Sequence, residues 1–311
     1  MTMSRFAILL LVSLGLSTGS FALAAGSSGE VQRLKVGITV GTDDLMRERV
    51  DAFRLALEAA LDLRVDLFLM DTMAETVEAL ANGEIDYAKL SSSAYAALYA
   101  KCACVEPLVT ARPDAFPGRY HAIVVGRAGQ TEPTLQGLKE TRLGVQGPQS
   151  VAGFRVPLAN LAAEGVDPTK HFRTLVRVKD PVDGLQALLD GRVDATTAWS
   201  TLAGEKKVGY TAGTLNDYFL SGGQGLERLR VIWQSPPIPY DAHTVRYALP
   251  DEFKQDLRSA LLALKGTAPV AYFAIEPDMP GGFEPTVHAN YEALLRTYEP
   301  KNQDLLKSLA K

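Results

Sequence analysis

The sequence predicts an α/β fold made of two lobes, each with a mainly parallel sheet. Short β-branched runs alternate with segments of helical apolar periodicity along most of the chain. The phrase Asn-Gly-Glu-Ile-Asp at 82–86 returns as Asp-Gly-Arg-Val-Asp at 190–194. Two proline-bearing segments, 108–120 and 233–239, separate the alternating stretches. Together these features indicate two similar halves joined by a two-strand hinge that permits closure.

The first alternating stretch begins with a β-branched run and ends before residue 112. The predicted strands cover 33–40, 63–69 and 85–90, and the predicted helices cover 43–61 and 72–81. Asn82-Gly83 is a helix C-cap signal. Ser91-Ser92-Ser93 opens a further helix. Residues 26–112 are therefore assigned to lobe 1.

The second stretch has the same pattern and is assigned to lobe 2, residues 113–234. Its predicted strands and helices are strands at 120–126, 142–146, 173–178 and 192–198, a helix after Gly147-Pro148-Gln149-Ser150, and a helix at 182–189. The chain then passes through Pro236, Pro237 and Pro239, whose rings fix φ and stiffen a connector. Helices near 250–265 and 285–297 are predicted to return to lobe 1, which thus also includes 235–311.

The first 25 residues are predicted to be a signal peptide that is removed on export. Arg5 precedes an apolar run over 6–16, and Ala-Leu-Ala ending at Ala24 has the small residues that signal peptidase requires. Serine, threonine and glycine interrupt the apolar run before it reaches the ~20 residues of a membrane span. We therefore expect cleavage near Ala24 or Ala25 and a periplasmic mature protein.

Composition narrows the class of protein. The hydrophobic fraction of 47% suits a globular chain, and the net charge of -4 with scattered Lys and Arg disfavours a nucleic-acid partner. The four histidines show no metal-site spacing, and neither His-Glu-x-x-His nor Gly-x-Ser-x-Gly occurs. We therefore expect a binding protein that needs no cofactor or metal and is not an enzyme.

Cys102 and Cys104 are the two cysteines of the chain. Thiols of exported proteins normally become oxidised. In a strand, however, positions i and i+2 lie about 6.6 Å apart with parallel side chains, which is poor geometry for a disulfide. The sequence therefore predicts two free thiols, which are either small apolar residues buried at a helix end or ligands.

The segment Ser-Pro-Pro-Ile-Pro at 235–239, followed by Val-Arg-Tyr-Ala-Leu-Pro at 245–250, resembles the phosphate-, phosphite- and phosphonate-binding proteins of ABC transporters, the PhnD-like group. The Asn-Gly-Glu-Ile-Asp turn, the Gly-Pro-Gln-Ser loop at 147–150 and Asp194 follow in that family's order. The resemblance covers essentially the whole mature chain. It implies the periplasmic binding protein fold, with a ligand held between the lobes.

The resemblance also implies ligand contacts at particular positions. Tyr95 matches an aromatic contact just inside a helix of lobe 1, and Asp194 matches a family position in lobe 2. The family's Ser-Thr-Ser run at a helix N-terminus, where hydroxyls and N–H groups receive an anion, is Ser150-Val151-Ala152 here. Losing donors that each contribute about 1.5–3 kcal/mol disfavours a dianion. Compensating donors could come from Ser91, Ser92, Ser93 and His121.

The cysteines match one branch of this family, the AioX-like arsenite-binding proteins, which report to a membrane sensor kinase. Arsenite is chiefly a neutral trihydroxy acid, and its soft arsenic atom exchanges hydroxide for thiolate. Of the pair, Cys104 is the favoured arsenic ligand over Cys102, because it opens the strand that leads to the hinge. The predicted function is periplasmic arsenite binding and presentation to a sensor histidine kinase. The alternative is a phosphonate-, phosphite- or phosphate-binding component that serves an ABC permease.

Overall fold

The computed structural model describes residues 31–41, 44–129 and 134–310, and the predicted signal peptide lies outside them. The strands are β1 (Arg33–Thr39), β2 (Arg64–Met70), β3 (Tyr87–Ser91), β4 (Val105–Ala111), β5 (Arg119–Arg127), β6 (Arg142–Val145), β7 (Thr174–Arg177), β8 (Ala195–Ser200), β9 (Leu229–Gln234), β10 (Ile238–Pro239), β11 (Asp241–Arg246) and β12 (Phe283–Pro285). The helices are α1 (Asp44–Leu61), α2 (Met73–Asn82), α3 (Ser92–Cys102), α4 (Val156–Ala163), α5 (Pro168–His171), α6 (Pro181–Leu189), α7 (Thr214–Leu220), α8 (Asp251–Thr267), α9 (Pro269–Ile275), α10 (Glu292–Leu295) and α11 (Pro300–Leu309). None of these described helices has the length and apolar character needed to cross a membrane.

Two mixed sheets confirm the predicted α/β class. The first has the order β12-β4-β11-β3-β1-β2, and the second has the order β10-β5-β8-β6-β7 with β9 beside β5. In each sheet three strands are parallel: β2, β1 and β3 in the first, and β7, β6 and β8 in the second. The other pairs are antiparallel, since β11 and β12 in the first sheet and β5 in the second run opposite to the strands beside them.

Helices cover both faces of the first sheet, and the alternation of side chains along β3 shows how. Tyr87 points into an apolar cluster built with α1, α8 and α9. Ala88 and Leu90 point into a second cluster built with α2 and α3. Because successive side chains of a strand face opposite sides of the sheet, the short strand β3 contributes side chains to two hydrophobic clusters.

Two extended segments connect the sheets, as predicted from the proline-bearing segments 108–120 and 233–239. One runs from β4 to β5 and the other from β10 to β11. Tyr240 N–H donates to the carbonyl of Gly118 at 3.0 Å and so joins the two crossings. Ala122 N–H donates to the Ser235 hydroxyl at 3.1 Å. The predicted two-strand hinge is therefore present.

The C-terminal segment departs from the predicted path. The helix expected over 285–297 is broken into short turns around α10. Helix α11 then packs on lobe 2, where Leu306 joins a cluster with Leu158 and Leu161 of α4. Arg177 Nη2 donates to the Leu309 carbonyl at 2.9 Å. Residues 300–309 therefore pack on lobe 2, whereas the sequence predicts that 235–311 belongs to lobe 1 as a whole.

The repeated Gly-x-x-Asp phrase builds the same turn twice. Gly83 and Gly191 have φ of 77° and 76°, a left-handed conformation that glycine adopts without a steric penalty. Each following aspartate accepts a backbone N–H from the first parallel strand of its lobe: Asp86 Oδ2 from Lys35 at 3.1 Å, and Asp194 Oδ2 from Arg142 at 2.9 Å. The repeated phrase therefore builds the same turn in both lobes, with its aspartate bound to the backbone of the neighbouring parallel strand.

Asp194 provides a test of this device. Hydrogen bonds from the Arg142 guanidinium lower the pKa of Asp194 to about 2, from an ordinary value of 3.8. We expect Asp194→Asn to lower the free energy of unfolding by about 1–2 kcal/mol at neutral pH, allowing for solvent screening. The stability that Asp194 adds is present above pH 3.8 and is lost as pH falls toward 2. Urea unfolding between about pH 2 and pH 4 measures this loss of stability. Asp190→Asn, at an exposed aspartate, is the control. Equal losses of stability in the two variants would contradict the role assigned to Asp194.

Candidate functional site

A cavity of about 220 Å³ lies in lobe 1, where β1 and β3 end and β11 begins. One part of its wall is apolar and the other is polar. The lining residues are Ile38, Thr39, Phe53, Met73, Tyr87, Lys89, Ser91, Asp241, His243 and Ile275. A wider groove of about 640 Å³ lies on the surface of lobe 2 between Lys206 and Arg230. The smaller cavity is the better candidate, because ligands of open α/β sheets bind beyond the carboxyl ends of parallel strands.

The polar part of the wall is placed by two paired strands. Tyr87, Lys89 and Ser91 alternate along β3 and so share one face. Asp241 lies directly opposite Ser91 in the antiparallel pairing of β11 with β3, and His243 lies opposite Lys89. Ser91 also caps α3, since its hydroxyl accepts the N–H of Ala94 at 3.2 Å. Strand pairing therefore brings charged residues from distant parts of the sequence into one wall.

A chain of hydrogen bonds runs behind this wall. Tyr87 OH bonds to His243 Nδ1, and His243 Nε2 lies 2.7 Å from Glu276 Oε1. Glu276 Oε2 pairs with Lys89 Nζ at 2.9 Å, and Lys89 Nζ lies 3.4 Å from Asp241 Oδ2. Glu276 is only 2% exposed, so its charge depends on these partners. Among the described residues, no cluster of acidic, histidine or cysteine side chains has metal-binding geometry.

The pKa values of the charged groups show how the network is balanced. Burial acts to raise the pKa of Glu276, but hydrogen bonds and charge from His243 and Lys89 hold it below its ordinary value. Burial acts to lower the pKa of Lys89, but Glu276 and Asp241 raise it. Burial raises the pKa of Asp241 despite the attraction of Lys89. The wall therefore contains a close Lys89–Glu276 ion pair. The second carboxylate, Asp241, lies farther from the Lys89 ammonium, which compensates its charge less fully.

The residues predicted to contact ligand lie outside the cavity, apart from Ser91. Tyr95 is fully buried, and its hydroxyl bonds to His288 Nδ1 at 2.8 Å. Its apolar cluster includes Val151 and Ala152 of lobe 2, so these surfaces contact each other directly. Ser150 accepts the N–H of Gly153 at 3.1 Å and donates to Gln146 at 2.8 Å. Ligand contact at Tyr95 and Ser150 stays a prediction.

The other predicted positions have structural partners. Ser92 donates to the carbonyl of Tyr240 at 2.9 Å, and His121 Nδ1 bonds to the carbonyl of Ser235 at 2.8 Å, so both hold the hinge. The carbonyl of Ser93 accepts from Tyr298 at 3.3 Å. Asp194 lies at the start of β8, about 20 Å along the strand from the end near the hinge. Ligand contact at these positions likewise stays a prediction.

The prediction of free thiols at Cys102 and Cys104 is wrong. The two residues form a disulfide, with their Cα atoms 5.0 Å apart. The prediction assumed extended backbone, whereas Ala103 between them has φ 46° and ψ 30° as the C-cap of α3. This left-handed residue bends the chain and brings the sulfur atoms together. Neither cysteine is then available as a thiolate ligand for arsenic.

Sequence reasoning also missed four residues of the network: Lys89, Asp241, His243 and Glu276. A usable signal was present at Lys89, because a charged residue inside a short apolar strand requires a partner. The pattern Asp241-x-His243 places two polar side chains on one face of a strand. For Glu276 the sequence holds no comparable signal, since it follows a helix that was not predicted.

Comparison with known proteins identifies a family. Residues 38–303 match the family model described as the phosphonate periplasmic substrate-binding protein of ABC transporters. XAC2383 from Xanthomonas citri bound to ATP superposes with a TM-score of 0.54 at 14% identity, covering 90% of this chain and 100% of that one. Transferrin 1 from Manduca sexta gives a TM-score of 0.58 at 12% identity, covering 89% of this chain and 47% of that one. At such identities the structural likeness concerns the fold alone.

The disulfide predicts the outcome of thiol labelling. The chain contains two cysteines, so the oxidised protein denatured without reductant should take up no maleimide, and after reduction it should take up two. Mass spectrometry counts the adducts. Because the closed loop is very short, replacing both cysteines by serine should lower the free energy of unfolding by ~1.5 kcal/mol or less. Two adducts without reductant would show that the thiols are free.

Proposed function

Since the chain belongs to the phosphonate-binding family of periplasmic ABC substrate-binding proteins, we propose that it captures a small phosphorus oxyanion for delivery to a membrane permease. We place the capture site in the lobe 1 cavity lined by Thr39, Lys89, Ser91 and Asp241. The family is a class of binding proteins, so the proposed role is binding and release without turnover. A signal peptide ending near Ala24 or Ala25 would deliver the chain to the periplasm.

The position of the cavity is the observation that carries this proposal. It lies at the carboxyl ends of β1 and β3, beside Ser91 at the first turn of α3. It also adjoins the hinge, because Asp241 begins the strand that follows the second crossing. A ligand in this position would contact both the sheet of lobe 1 and the segment that moves when the lobes close. Its volume of about 220 Å³ accommodates a molecule of the size of phosphate or a short phosphonate.

The charges around the cavity suit a ligand of low charge. Among the described residues that line the cavity, Lys89 carries a permanent positive charge, and it is already paired with Glu276. Phosphate, phosphite and methylphosphonate all exist as monoanions below their second ionisation. The function predicted from the sequence, arsenite binding for a sensor kinase, loses its chemical basis in the Cys102–Cys104 disulfide, which leaves no thiolate for arsenic. A permease is accordingly the proposed partner in place of a sensor kinase.

Calorimetry with phosphate, phosphite and methylphosphonate tests this proposal. We expect saturable binding of at least one, with a ligand-dependent rise in Tm that follows mass action. Met73→Trp should weaken that binding at least tenfold, because Met73 lines the cavity and the larger side chain would fill it. Leu220→Trp is the matched control, since Leu220 is 74% exposed and lies on α7 of lobe 2. Undiminished affinity in a folded Met73→Trp protein would place the ligand elsewhere, and no binding of any of the three anions would overturn the proposed substrate class.

A further inference from the structure

Most hydrogen-bond donors around the cavity are already used within the protein. Lys89 Nζ has three partners: the Ile275 carbonyl at 3.0 Å, Glu276 Oε2 at 2.9 Å and Asp241 Oδ2 at 3.4 Å. A lysine ammonium has three hydrogens, so none is left over. Both nitrogens of the His243 ring are engaged, one with Tyr87 OH and one with Glu276. These side chains shape the cavity but have no hydrogen to give a ligand.

The hydroxyl of Thr39 is an acceptor toward the cavity. Its oxygen lies 2.6 Å from the hydroxyl oxygen of Thr76, and one of the two must donate to the other. The Thr76 hydroxyl already donates to the carbonyl of Thr72 at 3.2 Å. Thr39 is therefore the donor to Thr76, and its lone pairs remain for an incoming donor. The Ser91 hydroxyl accepts the N–H of Ala94 and keeps its own hydrogen for a ligand.

The carboxylate of Asp241 is the strongest acceptor in the wall. Its side chain is 22% exposed and lines the cavity opposite Ser91. Lys89 Nζ lies 3.4 Å from Oδ2, and within the described part of the chain no hydrogen bond is made to Oδ1. The charges of Lys89 and Glu276 offset each other, so the carboxylate of Asp241 is less fully compensated than that of Glu276. An anion without a hydrogen would meet this charge at short range, and both would be partly desolvated.

We propose that Asp241 makes the cavity select oxyacids that carry a proton, in preference to oxyanions of the same shape that carry none. A ligand P–OH group would donate to Asp241 Oδ1, while an unprotonated oxygen of the same ligand accepts from Ser91. A sulfonate has no O–H and would place an oxygen lone pair against the carboxylate. This inference rests on the proposed function, because it concerns which oxyanion the same cavity holds.

The charged and titratable groups that face Asp241 come from several elements. They are Lys89, Tyr120, His243, Glu276 and Tyr291. Within this described set, Lys89 brings a permanent positive charge, and Glu276 counters it. A ligand without a proton would need Asp241 to take one from solvent. Its binding should then weaken by up to tenfold for each pH unit above the pKa of Asp241.

Methylphosphonate and methanesulfonate form a matched pair for the test. Below the second ionisation of the phosphonate, both are monoanions of nearly the same shape, and the phosphonate has one additional O–H group. We expect calorimetry to show methylphosphonate binding at least tenfold tighter than methanesulfonate. D241N should bring the affinity ratio close to one, because an amide offers a donor as well as an acceptor. D217N on α7, an exposed carboxylate of lobe 2, is the control and should keep the wild-type ratio.

The outcomes separate this inference from the proposed function. Binding of both anions with equal affinity, or an unchanged ratio in folded D241N, would overturn the selection by Asp241 and leave the oxyanion site in place. Binding of neither anion, nor of phosphate or phosphite, would overturn both. If D241N fails to fold, the pH dependence of methanesulfonate affinity in the wild-type protein tests the selection by Asp241 instead. Methanesulfonate affinity that does not fall as pH rises would contradict the role of Asp241.

Discussion

The ion pair between Lys89 and Glu276 is the interaction on which the site depends. Glu276 is almost fully buried, and removing the partner of such a carboxylate would leave an uncompensated charge in the interior. The pair joins the middle of β3 to the residue after α9, and His243 joins it to β11. It therefore fixes three elements around the cavity. It also engages the hydrogens of the Lys89 ammonium, so the Ser91 hydroxyl is left as a donor and the Asp241 carboxylate as an acceptor for a ligand.

Much of the fold could be predicted because its signals are local. The turns at Gly83 and Gly191 require a left-handed residue, and the aspartate three positions later accepts a backbone N–H in each lobe. The prolines at 236–239 mark a crossing because their rings favour extended backbone. The path of α11 could not be predicted in this way. Its contacts with lobe 2, through Leu306 and the Leu309 carbonyl, depend on how the lobes sit together.

The site was predictable only in part, and the reason is again physical. Ser91 was a candidate because serines at a helix start have a local meaning, whereas Lys89, Asp241 and Glu276 meet only through strand pairing. The cysteines show the opposite failure. The prediction of free thiols at Cys102 and Cys104 assumes extended backbone between them. Ala103 instead adopts a left-handed conformation, which residues other than glycine seldom adopt. The conformation of Ala103 therefore allows Cys102 and Cys104 to form a disulfide, so that neither is a free thiol ligand.

Both the segment 151–152 and the lobe 1 cavity offer few hydrogen-bond donors to an anion. At 151–152, where the family resemblance implied hydroxyl residues, valine and alanine pack against the cluster around Tyr95. In the cavity, the ammonium of Lys89 is fully engaged and a carboxylate stands beside it. A dianion needs several protein hydrogens to offset its desolvation, and neither place supplies them. A ligand that keeps a proton needs fewer donors and can itself donate to Asp241. The number of protons on the ligand, more than its size, is therefore the property that this arrangement can distinguish.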